Sequence, residues 1–364
     1  MCSALYVGAI SGTSVDGLDL ALLHVDDEAL TIEAAHTEAL PGNLRRVLID
    51  LAQRHGDHLD ALGHADTALG QFIGQSINEF LARCKVRHED IAAIGSHGQT
   101  VRHRPDGTQP FTMQIGDPNC IAETTGVLTV ADFRRRDLAA GGQAAPLVPP
   151  FHAALFACTD ESRAIANIGG ISNITVLAPG TPVTGFDTGP GNALLDAWYQ
   201  QHNEGAYDEN GTWAAGGVTL QALLDALLQD PYLSVEPPKS TGKEHYNLEW
   251  LQPKLSPLEP QDVQRTLSVF TARSLADAVE RWAPATARVL VCGGGRLNQL
   301  LMADLAGALA CPVEPVEEHG IDGDAVEAAA FAWLAHRRLT GQPGNEPSVT
   351  GAAAERVLGG VYSP

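Results

Sequence analysis

Short apolar runs alternate with longer segments of helical periodicity along most of this chain. Apolar runs of the length expected for buried strands occupy residues 4–10, 18–25, 91–94, 128–131, 164–168, 174–177 and 289–292. Apolar residues recur every three or four positions, as on one face of a helix, in residues 44–53, 71–84, 220–228, 263–282 and 328–339. This alternation of strands and helices predicts an α/β fold.

Two pairs of predicted strands each enclose a polar, glycine-rich turn. The turns span residues 11–17 and 169–173. The first offers backbone N–H groups and hydroxyls to a phosphate, with Asp16 or Asp19 placed to help hold a magnesium ion, although an ordinary hairpin turn is the alternative. Because the pairs lie about half a chain apart, they predict a duplicated α/β architecture whose turns face a central cleft for a polyphosphate.

The segment 185–192 carries one carboxylate, one hydroxyl and several glycines, and the apolar spacing of residues 193–198 predicts that a helix follows it. Asp187 is therefore expected near a helix N-terminus, where the helix dipole and backbone N–H groups keep a carboxylate ionised. An ionised aspartate at such a place can act as a general base. A capped helix after a tight turn is the alternative.

Further polar residues follow predicted strands, where α/β folds place ligand contacts. Residues 95–105 follow one strand, and Arg134 to Arg136 follow another. Three consecutive arginines suit a carboxylate or phosphate ligand, but a solvated basic turn paired with Asp132 and Asp137 is equally consistent with the pattern. The low-complexity residues 139–146 suit a hinge or a ligand-facing loop.

Two more segments are candidates for ligand binding or catalysis. Gly293, Gly294 and Gly295 join a strand to a helix, which suits close approach of a nucleotide. They lack the third glycine of the dinucleotide fingerprint, so an oxidoreductase is disfavoured, and the sequence has no Walker loop. Glu327 stands just inside a predicted helix, where it is either catalytic or a complement to the helix dipole.

Composition narrows the class of protein. The 364 residues predict two domains, which we place at 1–131 and 132–364, with the C-terminal segment packing back on the first lobe. A formal charge of −21 disfavours nucleic acid and anionic membranes as partners. The six cysteines are scattered, which argues against a zinc site and against disulfides. No apolar run approaches the ~18 residues of a membrane-spanning helix, so the expected location is the cytoplasm.

Seven motifs occur in an order that resembles the anhydro-N-acetylmuramic acid kinase family, bacterial enzymes of peptidoglycan recycling. The motifs lie at residues 11–19, 95–100, 131–137, 167–170, 185–192, 239–242 and 292–295, so the resemblance covers nearly the whole chain. The stretch before Glu327 is less characteristic of the family than the rest. The resemblance implies a two-lobed sugar kinase and actin-like ATPase fold that binds ATP, with Mg²⁺, in the cleft between the lobes.

The resemblance also implies roles for individual residues. Asp187 matches the catalytic base and Glu327 a second catalytic group, while Asp16 and Asp19, in the matched first phosphate loop, stay the candidate metal ligands on chemical grounds. The matched sugar-binding residues are His97, Gln99 and Arg134, the last of them for the lactyl carboxylate. The matched nucleotide-binding residues are Gly12, Thr13, Ser14, Val15, Asp16, Gly17, Leu18 and Asp19 in the first turn, Asn167, Gly169 and Gly170 in the second, and Gly293, Gly294 and Gly295 near the adenosine.

The implied reaction opens 1,6-anhydro-N-acetylmuramic acid with water and transfers the γ-phosphoryl group of ATP to the released O6, and the implied assembly is a homodimer. Two alternatives remain at this stage. One is a kinase of the same fold that phosphorylates a free hydroxyl of another sugar. The other is a non-metabolic actin-like ATPase whose nucleotide state controls a protein partner.

Overall fold

The structure is a computed structural model that describes residues 3–12, 15, 17–26, 29–53, 59–255 and 257–364. It divides the chain into two compact units. The first unit comprises residues 1–155 together with 324–364, and the second comprises residues 156–323. The boundary expected after residue 131 therefore lies inside the first unit, and the C-terminal segment belongs to that unit.

The regular elements follow the predicted alternation of strands and helices. The strands of the described residues are β1 (Ala4–Ser11), β2 (Gly17–Val25), β3 (Leu30–Ala39), β4 (Ile91–Arg104), β5 (Phe111–Ile115), β6 (Thr129–Ala131), β7 (Arg163–Ile168), β8 (Ile171–Leu177), β9 (Thr184–Pro190), β10 (Arg288–Cys292), β11 (Val313–Pro315) and β12 (Gly360–Tyr362). The helices are α1 (Gly42–Gln53), α2 (Leu59–Cys84), α3 (Pro118–Thr125), α4 (Arg134–Leu138), α5 (Pro149–Phe156), α6 (Asn192–His202), α7 (Thr212–Ala215), α8 (Gln221–Leu228), α9 (Leu248–Leu251), α10 (Pro260–Trp282), α11 (Gln299–Ala308), α12 (Val326–Leu339) and α13 (Pro347–Thr350).

The two units share one strand order. In the first, the sheet runs β12-β6-β4-β1-β2-β3, and β5 pairs with β4. In the second, it runs β11-β10-β7-β8-β9. In each unit, three consecutive strands pair antiparallel (β1–β3 and β7–β9). The first strand of each set pairs along its other edge with a parallel strand, and a second parallel strand follows: β4 and β6 beside β1, and β10 and β11 beside β7. This shared order confirms the predicted α/β class and its duplication.

Helix α12 carries the chain back onto the first sheet. A β-carbon at Gly8 would lie 1.8 Å from the carbonyl oxygen of Ala328, and one at Gly95 would lie 1.9 Å from that of Phe331. The helix can therefore lie against β1 and β4 because these positions have no side chain. Since successive residues of a strand face opposite sides, Val7 and Ala9 point away from α12 into a core that includes α1 and α2.

The second unit has a core on its sheet and another between its helices. Side chains of β7, β8, β9 and β10 pack with α10 and α11. A separate cluster joins α6, α8, α9 and α10 around Tyr246, which is 1% exposed. Among the described residues, none of the helices combines the length and hydropathy that a membrane span requires.

Candidate active site

Asp187 lies in the middle of β9, half-buried, at an irregularity in the strand. Across the β8–β9 ladder, Ser172 pairs with Gly189 and Asn173 pairs with Asp187, so Thr188 is an extra, bulged residue. Gly189 has φ = 152°, a conformation that suits glycine. Bulges change the direction of neighbouring side chains and are frequent beside active sites.

The segment 232–241 lies against Asp187 and binds both its backbone and its side chain. Thr241 donates its backbone N–H to the Asp187 Oδ2 at 2.9 Å. The Asp187 N–H donates to the Lys239 carbonyl oxygen at 3.3 Å, and the Tyr232 hydroxyl donates to the Asp187 carbonyl oxygen at 2.8 Å. The carboxylate is therefore positioned by residues that lie about fifty positions later in the sequence.

Burial raises the pKa of Asp187 from 3.8 to about 7. The Thr241 N–H and the Lys239 ammonium oppose this rise, and the charge of Glu244 adds to it. A carboxyl group with a pKa near neutrality is suited to general-base catalysis, because it is both available and sufficiently basic at the working pH.

The expectation that a helix dipole keeps Asp187 ionised is wrong. Helix α6 begins at Asn192, where it was predicted, but the pKa of Asp187 is raised and not lowered. The N–H groups at its start donate to the second glycine turn instead: Asn192 to the Gly169 carbonyl at 2.8 Å and Ala193 to that of Gly170 at 3.1 Å. Burial, not the helix, dominates the pKa of Asp187.

Lys239 is almost completely buried beside Asp187, at 6% exposure. Its ammonium donates to the carbonyl oxygens of Tyr232 at 3.1 Å and Leu233 at 3.2 Å, and lies 4.6 Å from the centre of the Tyr232 ring. Burial, with repulsion from Arg281, lowers its pKa to about 8, and Asp187 opposes this fall. Lys239 thus stays mostly protonated at pH 7 and supplies a positive charge beside Asp187.

The second glycine turn and the glycines after β10 meet at the ends of parallel strands β7 and β10. Cys292 pairs with Asn167 in the ladder. A β-carbon at Gly293 would lie 2.2 Å from the Asn167 Oδ1, and one at Gly295 would lie 2.2 Å from the Ile168 Cγ2. The predicted second phosphate turn and the predicted adenosine turn therefore form one continuous surface, and close packing explains the glycines.

In the first unit, the structure brings together His97, Arg134 and Glu327. Arg134 donates its Nε–H to the His97 Nε2 at 2.9 Å and an Nη1–H to the Ala144 carbonyl at 2.6 Å. Burial lowers the pKa of Arg134 to about 10, and attraction from Glu327 opposes this fall. The His97 ring packs on Phe331, one helical turn after Glu327 on α12, with ring centres 4.6 Å apart.

His97 occupies a bulge like the one beside Asp187. Ala9 pairs with Ser96 and Ile10 with Gly98, so His97 is the extra residue, and Gly98 has φ = 70°. Burial and the neighbouring guanidinium lower the pKa of His97 to about 3. The ring is therefore neutral, with its Nδ1–H donating to the Gly98 carbonyl at 2.9 Å and its Nε2 accepting from Arg134.

The other sugar-binding candidate and the neighbouring arginine have different partners. The side chain of Gln99 is 1% exposed and accepts a hydrogen bond from the Ser11 hydroxyl at 2.6 Å. Arg135 is exposed and lies 3.5 Å from Asp132, as expected for a solvated basic turn. Arg135 and Arg136 are both exposed, whereas Arg134 is partly buried and bonds to His97.

Part of the first phosphate turn can be described. Val15 donates its N–H to the Gly12 carbonyl at 3.1 Å, and Arg45 donates to the Val15 carbonyl at 2.9 Å. The side chains of Val15 and Leu18, at 3% and 0% exposure, belong to the core, so these residues can contact a nucleotide through their backbone alone. Thr13, Ser14 and Asp16 lie outside the described residues.

Asp19 lies on β2 and accepts a hydrogen bond from the Thr37 hydroxyl at 2.7 Å. Burial raises its pKa, the Thr37 bond opposes the rise, and the charge of Asp324 adds to it. A divalent cation would relieve this repulsion, and Mg²⁺ commonly uses one or two carboxylates together with water and phosphate oxygens. The described part of the chain holds no group of three or more His, Cys, Asp or Glu side chains placed to bind a metal; Asp19 fits a magnesium site completed by substrate.

Sequence reasoning missed Tyr232, which lies in the segment that binds Asp187, and Asp230 and His245, which lie beside that segment. The signal at Asp230 is local: an aspartate before Pro231 is typical of a helix start, and its carboxylate does accept from the Tyr232 N–H at 2.9 Å. That signal predicts a turn. Its connection to Asp187 depends on tertiary structure.

The fold has two α/β units with one strand order and glycine turns at strand ends, and the family that the chain matches shows that it is a kinase. Residues 4–364 match the family described as anhydro-N-acetylmuramic acid kinase. The chain belongs to this family.

The comparisons include curated relatives that match over essentially their full length. The kinase of this name from Xylella fastidiosa is 49% identical over 98% of this chain and 96% of its own. That from Saccharophagus degradans is 48% identical over the whole of both chains. Among solved structures, a ROK family glucokinase from Streptomyces griseus in complex with glucose and AMPPNP is 14% identical, with a TM-score of 0.42 over 92% of this chain and 100% of that one.

Proposed function

We propose that this enzyme uses ATP and water to convert 1,6-anhydro-N-acetylmuramic acid into N-acetylmuramic acid 6-phosphate and ADP, in cell-wall recycling. Membership of the family over residues 4–364 supports the substrate. The observation that carries the chemistry is the half-buried carboxyl group of Asp187, whose pKa of about 7 suits a base that acts on water.

The substrate requires a base because it has no free 6-hydroxyl: that oxygen bridges to the anomeric carbon. Asp187 takes a proton from water, the water oxygen bonds to the anomeric carbon, and the bond from that carbon to O6 breaks. O6 then accepts the γ-phosphoryl group, and ADP leaves. General-base catalysis of this kind contributes ~10²–10⁴-fold to the rate.

Other residues hold the substrates in this proposal. His97, Gln99 and Arg134 bind the sugar, and Glu327 helps to orient water. The turn around Gly12 and the turns at residues 167–170 and 293–295 bind ATP. Magnesium at Asp16 and Asp19 would neutralise charge on the transferred phosphoryl group. We propose in addition that the enzyme is a cytoplasmic homodimer, and membership of the family supports this.

Isotopic labelling tests the reaction. In oxygen-18 water, the expected sugar phosphate carries the label on the anomeric carbon and none on phosphorus. Product incubated alone for the same time measures spontaneous exchange of the anomeric oxygen and is subtracted. Label in inorganic phosphate without sugar product would indicate the ATPase alternative, and faster phosphorylation of sugars that have a free 6-hydroxyl would indicate the other kinase.

Substitution of Arg134 tests its assigned contact with the lactyl carboxylate. We expect Arg134→Ala to raise KM for the anhydro sugar by about 10–100-fold, since a hydrogen bond to a charged group contributes ~1.5–3 kcal/mol, and to change KM for ATP little. Steady-state kinetics measures both. Arg135→Ala, which removes the exposed neighbouring guanidinium, is the matched control. An equal rise in the two KM values would contradict the assignment.

A further inference from the structure

Residues 230–245 lie against Asp187, and the first residue of this segment, Asp230, has a buried carboxylate. Asp230 has a side chain that is 4% exposed. It is 43 positions from Asp187 in sequence, but hydrogen bonds connect the two residues by two routes. We propose that Asp230, acting through His245 and Tyr232, is a positioning residue that fixes the hydrogen bonds to Asp187.

The first route passes through Tyr232. The Asp230 Oδ1 accepts from the Tyr232 N–H at 2.9 Å, which sets the backbone of the short helical turn Pro231–Ser234. The Tyr232 hydroxyl then donates to the Asp187 carbonyl oxygen at 2.8 Å. This route fixes the backbone of Asp187.

The second route passes through His245 and reaches the Asp187 carboxylate. The Asp230 Oδ2 accepts from the His245 Nε2–H at 3.0 Å and from the Trp250 Nε1–H at 3.0 Å. With its proton held on Nε2, the imidazole accepts at Nδ1 from the Thr241 hydroxyl, at 3.5 Å. Thr241 in turn donates its N–H to the Asp187 Oδ2 at 2.9 Å.

Packing keeps the imidazole in place. The ring of His245 stacks on that of Tyr246, with centres 4.3 Å apart and planes at 7°. Tyr246 itself is buried in the helical core of the unit. The stack therefore limits rotation of the His245 ring beside Thr241.

This arrangement matters because the Thr241 N–H is the leading influence that lowers the pKa of Asp187 against burial. The charged groups that also act on Asp187 are Lys239, which lowers its pKa, and Glu244, which raises it. Loss of the Thr241 bond would raise the pKa further. A larger fraction of Asp187 would then be protonated at neutral pH and unable to act as a base.

The pH dependence of kcat/KM measures this effect, and the inference rests on the proposed role of Asp187. For the wild type, we expect kcat/KM to rise with pH through a midpoint near 7. In Asp230→Asn, the amide cannot accept from both Tyr232 and His245, so we expect the midpoint to move up by about 0.5–1 pH unit, as the loss of one hydrogen bond implies. The value of kcat/KM at high pH should change much less than the value below pH 7.

Three further variants separate positioning from general damage to the fold. His245→Ala should move the midpoint in the same direction, whereas His245→Gln should restore it, because glutamine can both donate to Asp230 and accept from Thr241. Asp225→Asn, at an exposed carboxylate on α8 that accepts from Gln221, is the control and should leave the midpoint unchanged. Unchanged midpoints in both Asp230→Asn and His245→Ala would overturn the inference.

Hydrogen exchange without substrate distinguishes failure of this inference from failure of the proposed function. Mass spectrometry of peptides covering residues 239–247 should show faster exchange in Asp230→Asn and His245→Ala than in the wild type and in Asp225→Asn. Unchanged exchange would show that Asp230 does not position Thr241, whatever Asp187 does. Faster exchange with an unchanged midpoint would instead show that Asp187 is not the base, and Asp187→Asn would then retain activity.

Discussion

Replacement of Asp187 by asparagine is expected to reduce turnover of the anhydro sugar by at least ~10²-fold, because the amide cannot take a proton from water. The variant should fold normally, since an amide oxygen can still accept from the Thr241 N–H. Its affinity for ATP should stay close to that of the wild type. Single-turnover kinetics and calorimetric titration with ATP measure the two quantities.

Asp225→Asn is the control for this substitution as well, because it makes the same chemical change at an exposed site. It should retain wild-type turnover. An Asp187→Asn enzyme with more than about a tenth of the wild-type rate would show that the residue is not the general base, since loss of a true base costs at least ~10²-fold. Loss of ATP affinity in parallel would point to a structural role.

The same substitution should stabilise the protein at high pH. The folded state of the wild type keeps a proton on Asp187 up to about pH 7, whereas the unfolded state loses it near 3.8. The folded state therefore binds more protons between these values, and stability falls as pH rises through this window. Asparagine does not ionise, so its burial causes no such loss of stability. We therefore expect the free energy of unfolding of Asp187→Asn to exceed that of the wild type by about 1–4 kcal/mol at pH 8 and by little at pH 4. Urea denaturation at the two pH values measures the difference.

Sequence patterns predicted the fold better than they predicted the surroundings of the candidate base. Apolar runs located β1, β7 and β10, and the two glycine-rich turns indicated the duplication that the shared strand order confirms. These features are local, since each depends on a few adjacent residues. The return of α12 to the first sheet was expected only in outline, because the contacts of Gly8 and Gly95 with that helix join distant parts of the chain.

The details of the candidate sites depend on register and burial. A bulge adds one residue to one strand, and nothing in the alternation of apolar and polar residues marks His97 or Thr188 as the extra one. The raised pKa of Asp187 likewise follows from its burial in the folded chain, so the helix predicted after it indicated the wrong electrostatic environment. In both cases a long-range contact outweighs the local signal.

A second large effect is expected at Asp137, which connects three segments of the first unit. Its side chain is completely buried and accepts from the Ala144 N–H at 2.8 Å, the Asn345 amide at 2.7 Å and the Thr350 hydroxyl at 2.8 Å. Residues 139–146 are thus tied to the C-terminal segment, and the Gln143 N–H adds a bond to the Thr350 carbonyl at 2.7 Å. These contacts argue against the hinge expected there and fix the Ala144 carbonyl that accepts from Arg134.

Asp137→Ala should therefore lower the free energy of unfolding of the first unit by about 3–5 kcal/mol, because it leaves three buried donors without their acceptor. Asp137→Asn keeps the volume and one acceptor oxygen and should cost less. Urea denaturation, followed by hydrogen exchange and mass spectrometry of peptides from α12, measures the change in this unit. Asp225→Ala, at an exposed site, should stay within ~0.5 kcal/mol of the wild type. A loss below about 1 kcal/mol in Asp137→Ala would mean that water replaces the carboxylate, and that these bonds do not hold the C-terminal segment in place.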